Sequence, residues 1–264
     1  MLAAVALYGC GAGGDPGREV KSAVNKTLAV SWGRYELGLG SQHLFPPTIT
    51  VQGGRAAYDF RTGLGYEFLQ FQSRSGSSQT LYYDYEPTRF LLAPAVTGAL
   101  PAGKAWISAP LTGPGAHRVL TAQAEGLAPL LLLDEVAWGP RNVSAVGTRV
   151  VQSVPTQEYR VSVDLATARS VATKAGRRGI AAAIEQELEA TPSGQVAVLV
   201  WVNGPGYVGK IESEVPGSGL GTVSFWFLSY VKPYTGIGPP ASQVVPLNSL
   251  ARDGRSLWAI ATGS

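Results

Sequence analysis

The chain has 264 residues, of which 45% are hydrophobic and only 15% are charged. This length and hydrophobic content suffice for a sizeable core, and because β-rich domains reach about 250 residues, a single domain is expected. The net charge of +3 comes from scattered basic residues, which argues against a nucleic-acid partner, and no apolar run approaches the roughly 20 residues that span a bilayer.

The N-terminus contains the one cysteine of the chain, Cys10. The sequence LYGC at 7–10 looks like a bacterial lipobox, in which a lipid is attached to the thiol and the preceding peptide is removed. No Lys or Arg precedes Cys10, although export signals begin with positive charge, so an unmodified thiol is the alternative. We predict a partial signal segment at 1–10 with lipidation at Cys10, a flexible linker at 11–17 and one domain at 18–264.

A helix and a strand are predicted after the linker. Asp15 is suited to cap a helix and Pro16 to begin it. Apolar residues recur at helical spacing over 16–29. From Ser31 the apolar period changes to two, which predicts a strand that ends near Gly38.

Residues 48–92 predict a meander of antiparallel strands. Aromatic and β-branched residues there alternate between turns rich in Gly, Ser and Pro. A turn is expected at 52–54. The strands are expected at 48–51, 56–61, 66–71 and 81–85, with a further strand at 104–108.

Two short helices are predicted next, over 116–125 and 129–136. Residues 130–133 are all leucine and cover nearly the whole circumference of the second helix. A helix that is apolar all round needs apolar neighbours on both sides. It lies either within an ordinary core or with one side facing an apolar cavity, and both readings stay open.

The C-terminal half begins with a predicted hairpin of strands at 143–151 and 159–165. Two helical stretches follow within 166–190, broken near 176–179, and a short helix is expected at 246–250. Strands are also expected at 195–203, 207–215 and 221–231. Because strands occur in runs rather than alternating with helices, the pattern predicts an α+β fold, with a long antiparallel sheet and helices on one face.

Residues for catalysis or metal binding are sparse. The two histidines, His43 and His117, are not paired at metal-ligand spacing, and no G-x-S-x-G motif is present. Asp134 and Glu135 are adjacent carboxylates on a predicted helix, so they point in different directions and are expected at a helix end or in solvent. No enzyme activity, cofactor or metal site is expected.

The basic residues cluster only in the helical stretch 166–190. We interpret this cluster as a solvated helix face, with attraction to anionic lipid headgroups as the alternative. Its members are Arg169, Lys174, Arg177 and Arg178.

Three motifs, taken in their order and spacing, resemble LolA/LppX-like (LppX/LprG-type) envelope lipoproteins. They are VGTRVVQSVPTQEYRVSVDL at 146–165, VLVWVN at 198–203 followed by YVGKI at 207–211, and LPAGKAW at 100–106. The chain departs from the family pattern at Ser153, where glycine is common, at Glu158, where histidine is common, and at Asn203, where aspartate is frequent. These are turn or strand-end positions, so the expected fold is unaffected. The departures leave the ligand and the subfamily open.

The resemblance implies a curved antiparallel β-sheet, a half-barrel, whose concave face is covered by helices with a hydrophobic cavity between the layers. Family members bind acyl chains of lipids, glycolipids or lipoproteins and carry them across the envelope without catalysis. On this implication, the candidate cavity lining comprises Leu69, Phe71, Leu81, Tyr83, Leu130, Leu131, Leu133, Val161, Val163, Val198, Val200, Phe225 and Phe227.

The predicted function is therefore a membrane-anchored, extracytoplasmic lipid carrier. Its expected partners are an acylated ligand and the membrane, through Cys10, with an envelope transporter as a further candidate and a monomer as the expected state. An alternative is an envelope lipoprotein that acts as an interaction, accessory or sensor subunit, for which exposed Trp32, Trp138 and Tyr234 would be the cue. A third is an esterase that uses a serine with His117.

Overall fold

The computed structural model describes residues 14–39, 50–72, 78–86, 89–94, 100–111, 128–217, 221–230 and 239–250. The described helices are α1 (Pro16–Leu28), α2 (Pro129–Trp138), α3 (Leu165–Lys174), α4 (Arg178–Ala190) and α5 (Leu247–Leu250). The described strands are β1 (Gly33–Leu39), β2 (Thr50–Tyr58), β3 (Gly65–Gln72), β4 (Ser78–Glu86), β5 (Arg89–Ala93), β6 (Trp106–Pro110), β7 (Pro140–Val151), β8 (Val154–Asp164), β9 (Gln195–Asn203), β10 (Val208–Glu214), β11 (Thr222–Ser229) and β12 (Val244–Pro246).

The described strands form one sheet in the order β12-β6-β5-β4-β3-β2-β1-β11-β10-β9-β8-β7. Its strand pairs are antiparallel, except that β12 runs parallel to β6. The pairing of β1 with β11 joins the N-terminal meander to the C-terminal strands. The helices lie against one face, which we call the inner face, so the predicted α+β architecture is confirmed.

Helix α1 begins as predicted. The Asp15 carboxylate accepts a hydrogen bond from the Gly17 N–H at 3.0 Å, and proline occupies the first helical position, which lacks an intrahelical partner for its N–H in any case. The helix includes Pro16 and Gly17, the last two residues of the predicted linker. At its other end, Thr27 Oγ1 accepts from the Val208 N–H at 3.0 Å, which fixes the helix to β10.

Helices α2, α3 and α4 form a layer over the C-terminal part of the sheet. Helix α1 lies against α2, α2 against α3 and α3 against α4, and their main sheet contacts are with β7, β8, β9 and β10. The Asp164 carboxylate caps α3 by accepting from the Thr167 N–H at 2.8 Å and also pairs with Arg141. The hydrogen bond from Thr167, followed by the pair with Arg141, holds the pKa of Asp164 below its usual value.

Two local predictions are corrected by the structure. The turn expected at 52–54 is instead a bulge inside β2, where the register shifts between Val51 and Gly53. Gly53 has a φ of +135°, which glycine adopts without a steric penalty, and β2 remains extended because β1 and β3 pair with it on both sides. The predicted loop at 152–158 is a two-residue turn, since β8 already begins at Val154. The helix predicted at 116–125 lies outside the described residues.

Candidate functional site

The inner face of the sheet is a continuous, mostly apolar surface. Phe225 on β11 lies opposite Leu37 on β1 and Ile211 on β10, and Ile211 lies opposite Val200 on β9. Because side chains alternate across a strand, each of these register positions faces the helix side. The apolar residues of these four neighbouring strands therefore meet in one layer.

The structure brings the described members of the predicted lining together on this layer. Seven sheet residues of the set are buried in one apolar cluster, as are three leucines of α2: Leu69, Val161, Val163, Val198, Val200, Phe225, Phe227, Leu130, Leu131 and Leu133. The register places Leu81 opposite Leu69 and Tyr83 opposite Glu67, on the same face, and Phe71 is two residues beyond Leu69. The side chains of Phe71, Leu81 and Tyr83 lie outside the described part, as does Cys10.

Further inner-face residues belong to the same cluster but were not selected from the sequence. Their signal was the apolar character of their positions within β1, β2, β5, β6 and β10. They are Tyr35, Leu37, Tyr58, Leu92, Ile107 and Ile211.

Tyr35 lies in this layer as a polar group among aromatic rings. Its ring packs edge-on against Phe225, with 5.4 Å between centroids, and its buried hydroxyl has no hydrogen-bond partner among the described residues. Burial, with a further contribution from the charge of Glu67, raises the pKa of Tyr35 well above its usual value. The phenol is therefore neutral and retains a proton that it can donate.

Asp134 and Glu135 are not at a helix end or in solvent, as their sequence context predicted. Asp134 is 3% exposed, and Glu135 is fully buried together with Glu187 of α4. The two glutamate carboxyls interact directly, and because two ionised carboxylates have no donor between them, their contact is a hydrogen bond only when one holds a proton. Glu187 of α4 meets Glu135 of α2 in a tertiary contact that spacing along the chain does not reveal.

Burial is the main cause of the raised pKa values of these three acids. It raises the pKa of Asp134 to about 7, although the nearby Arg177 charge opposes the shift. It raises the pKa of Glu135 to about 8, where hydrogen bonding to Glu187 opposes the shift and the charge of Asp134 adds to it. The pKa of Glu187 is raised well above its usual range, by burial first and by the Glu135 charge second. These three carboxyls therefore bind protons at pH values at which exposed carboxyls are ionised.

The residues that would indicate the two alternative functions are either at least partly buried or outside the described part of the chain. Trp32 is buried and Trp138 is half-buried, whereas Tyr234, His43 and His117 lie outside the described residues. Within the described part of the chain, no group of three His, Cys, Asp or Glu side chains could hold a metal ion. No helix described by the structure is long and apolar enough to cross a membrane.

Helix α4 and its neighbour α3 also carry the basic cluster. Arg169 of α3 forms an ion pair with Glu185 of α4, with both side chains partly exposed. Arg177 lies near Asp134, and Lys174 and Arg178 are exposed. The cluster is thus mainly a solvated face that also holds the two helices together.

Comparison with known proteins gives structural matches only. No protein-family model matches the sequence, and no curated protein matches it. Among solved structures, the lipoprotein LppX of Mycobacterium tuberculosis matches at 11% identity and a TM-score of 0.46, over 84% of this chain and 99% of LppX. LprF of Mycobacterium bovis matches at 12% identity and a TM-score of 0.46, over 83% and 94% of the two chains.

A third match is the MucA/MucB complex of Pseudomonas aeruginosa, at 12% identity and a TM-score of 0.34, over 84% of this chain and 59% of the matched chain. The path of the backbone in this chain is similar to that in the lipoproteins LppX and LprF.

Proposed function

We propose that this protein is an extracytoplasmic lipoprotein that binds the acyl chains of a lipid or lipidated molecule between its sheet and its helices and carries that ligand without catalysis. One observation supports the proposal most strongly. The apolar residues of β1, β3, β8, β9, β10 and β11 share one face of the sheet, and the leucines of α2 belong to the same buried cluster. A large apolar layer of this kind can take up a hydrocarbon chain.

The proposed site lies on the part of the inner face that extends beyond the main contacts of the described helices. Helices α1, α2 and α3 pack mainly on β7–β10, whereas the buried inner-face residues Leu69 and Leu92 belong to β3 and β5. We place the acyl chain over β1–β5, with the helix layer as its border. A ligand there would contact both aliphatic and aromatic side chains.

Carriage requires a balance between the bilayer and the protein. Each CH₂ group moved out of water gains about 0.8 kcal/mol, and a lipid in a bilayer already has this stabilisation. A carrier site must therefore match the bilayer closely, since a weaker site would not load and a stronger site would not release. An adaptable wall of Leu, Val and Phe side chains is suited to this balance.

A matched pair of substitutions on β3 tests the site. Leu69 is fully buried on the inner face, and the adjacent Phe68 is 43% exposed on the outer face. Leu69→Trp fills the proposed site, so we expect it to weaken binding of the fluorescent fatty acid cis-parinaric acid by about tenfold or more, a loss of about 1.4 kcal/mol. Phe68→Trp is expected to bind as the unmodified protein does. Unchanged binding by a folded Leu69→Trp variant, as judged by circular dichroism, would exclude this site.

The proposed anchor is a lipid on Cys10. One acyl chain gives only marginal membrane binding, whereas a lipoprotein cysteine carries more than one and is held firmly. Cys10→Ala is therefore expected to move the protein from the membrane fraction of an exporting bacterial host to the soluble extracytoplasmic fraction. A variant that remains in the membrane fraction after a high-salt wash would contradict the anchor but not the acyl site.

A further inference from the structure

The outer face of the sheet, opposite the helix layer, contains a groove of about 630 Å³. Its floor is the backbone of β1 and β2 at Gly38 and Gly53, and its walls include Phe68 and Trp226. A volume of this size lies within the range of small-molecule sites. The side chains of Glu36, Phe68 and Gln70, which line the groove, alternate along their strands with inner-face residues, so the groove lies on the opposite face from the proposed acyl site.

The walls of the groove are aromatic and held in place. A Cβ atom at Gly38 would lie 2.6 Å from the Trp226 ring, so only glycine lets the indole lie against β1. The Lys210 ammonium lies 4.9 Å from the Trp226 ring centroid and 4.3 Å from that of Trp201, which holds the Trp226 side chain from the neighbouring strand. On the opposite wall, Phe68 packs edge-on against Tyr66 and is 43% exposed.

Planar polar groups surround these aromatic walls. The Glu36 carboxylate pairs with the Arg55 guanidinium at 3.3 Å, and Gln70 lines the groove beside them. The Gln152 amide donates to Glu36 at 3.3 Å from the opposite half of the sheet. The Glu36 carboxylate and the Arg55 guanidinium neutralise each other. The lining therefore offers several hydrogen-bonding groups but no net charge that would attract an ion.

The turn that delivers Gln152 is strained. Gln152 and Ser153 have φ angles of 48° and 66°, in the left-handed region that two-residue hairpin turns normally fill with Asn-Gly. Non-glycine residues held in this region are concentrated at functional sites, where the surrounding structure maintains the strain. Glycine at position 152 would remove the backbone strain. The chain instead has Gln152 there, whose long amide side chain lies over the groove.

We propose that this outer-face groove binds a neutral oligosaccharide. A sugar ring has an apolar C–H face that packs on Phe68 and Trp226, and hydroxyl edges that match the carboxylate, guanidinium and amide groups. A polyanion would require an excess of basic groups, which the lining does not contain. A bare acyl chain would cover Glu36, Gln70 and Gln152 without offering hydrogen bonds to their remaining donors and acceptors.

Titration of the full chain with two neutral sugars, N,N′,N″-triacetylchitotriose and maltotriose, followed by tryptophan fluorescence and calorimetry, tests the proposal. At least one sugar is expected to bind saturably at millimolar concentration, and Gln152→Ala and Gln70→Ala should each weaken that binding by about fivefold, as expected for the loss of one hydrogen bond. Gln195→Ala, an exposed glutamine outside the groove, is the matched control and should bind as the unmodified chain does.

Several results would overturn the proposal. They are the absence of saturable binding of either sugar, equal weakening by Gln195→Ala, and sugar binding that Gln152→Ala and Gln70→Ala leave unchanged while both variants keep the circular dichroism of the unmodified chain. Tight binding of inorganic phosphate at the groove in place of the sugars would also overturn it. None of these outcomes depends on whether the inner face binds acyl chains.

Discussion

Replacing both Glu135 and Glu187 by glutamine is expected to stabilise the protein at alkaline pH and to remove most of its pH dependence of stability. In the unmodified protein, both carboxyls are fully buried between α2 and α4. When one of the two carboxyls is protonated, the pair carries a single negative charge rather than two, and the protonated carboxyl donates a hydrogen bond to the other. At high pH, both groups must ionise side by side in a low-dielectric environment, which destabilises the folded state.

The direction of this dependence follows from the raised pKa values. Burial raises the folded-state pKa of Glu135 from 4.5 to about 8, so between these values the folded protein holds a proton that the unfolded chain has released. The stabilisation is fully present below pH 4.5 and is lost as the pH rises toward about 8. Each unit of pKa difference corresponds to about 1.4 kcal/mol, so the free energy of unfolding should fall by a few kcal/mol over this range.

Urea unfolding at a series of pH values from about 5 to about 9 measures this effect. The double variant should retain only the smaller slope that comes from Asp134, whose pKa is raised to about 7 by burial. Glu185→Gln is the matched control, because Glu185 lies on the same helix but is partly exposed, and it should keep the full slope. A double variant with the pH dependence of the unmodified protein would show that the pair is not buried as described.

Gly139→Ala is expected to destabilise the protein by about 1–3 kcal/mol, the usual cost of overpacking. Gly139 lies between α2 and β7. It packs against the point where β8 ends and α3 begins. An added Cβ atom would lie 2.6 Å from the Asp164 carbonyl oxygen and 3.1 Å from Val163 Cγ1. The contact is with backbone that is itself hydrogen-bonded, since the Asp164 N–H donates to the Gly139 carbonyl at 2.7 Å, so the chain cannot easily move away.

The same substitution at Gly204 provides the control. No atom lies within 4 Å of a Cβ atom there, and Gly204 has no positive φ. Gly204→Ala is therefore expected to be neutral or slightly stabilising, through the lower entropy of the unfolded chain. Thermal and urea unfolding of the two variants measure the difference, and equal stabilities would contradict the close approach of α2 to the β8–α3 junction.

The inner face could be predicted from the sequence because a period of two is visible within each strand. The alternation of Tyr159, Val161 and Val163 is enough to assign their shared face, and the structure confirms it. Where burial follows from local periodicity, single-sequence reasoning is sufficient.

Features that depend on distant neighbours could not be predicted in this way. The burial of Glu135 depends on α4, which follows α2 by some forty residues in the chain. The bulge at Gly53 was interpreted as a turn because the flanking strands that keep it extended are not adjacent in the sequence pattern. Gln152 and Glu36 are separated by 116 positions, so their shared groove has no local signal.

Native mass spectrometry of the domain from Asp15 onward, purified from an exporting bacterial host, tests the central claim most directly. If the inner face binds acyl chains, the protein should carry a discrete excess mass that dissociates as lipid, and the fragment masses would identify the ligand class. A bare polypeptide mass that stays unchanged after incubation with membrane lipids would contradict lipid carriage and would favour a protein-interaction role.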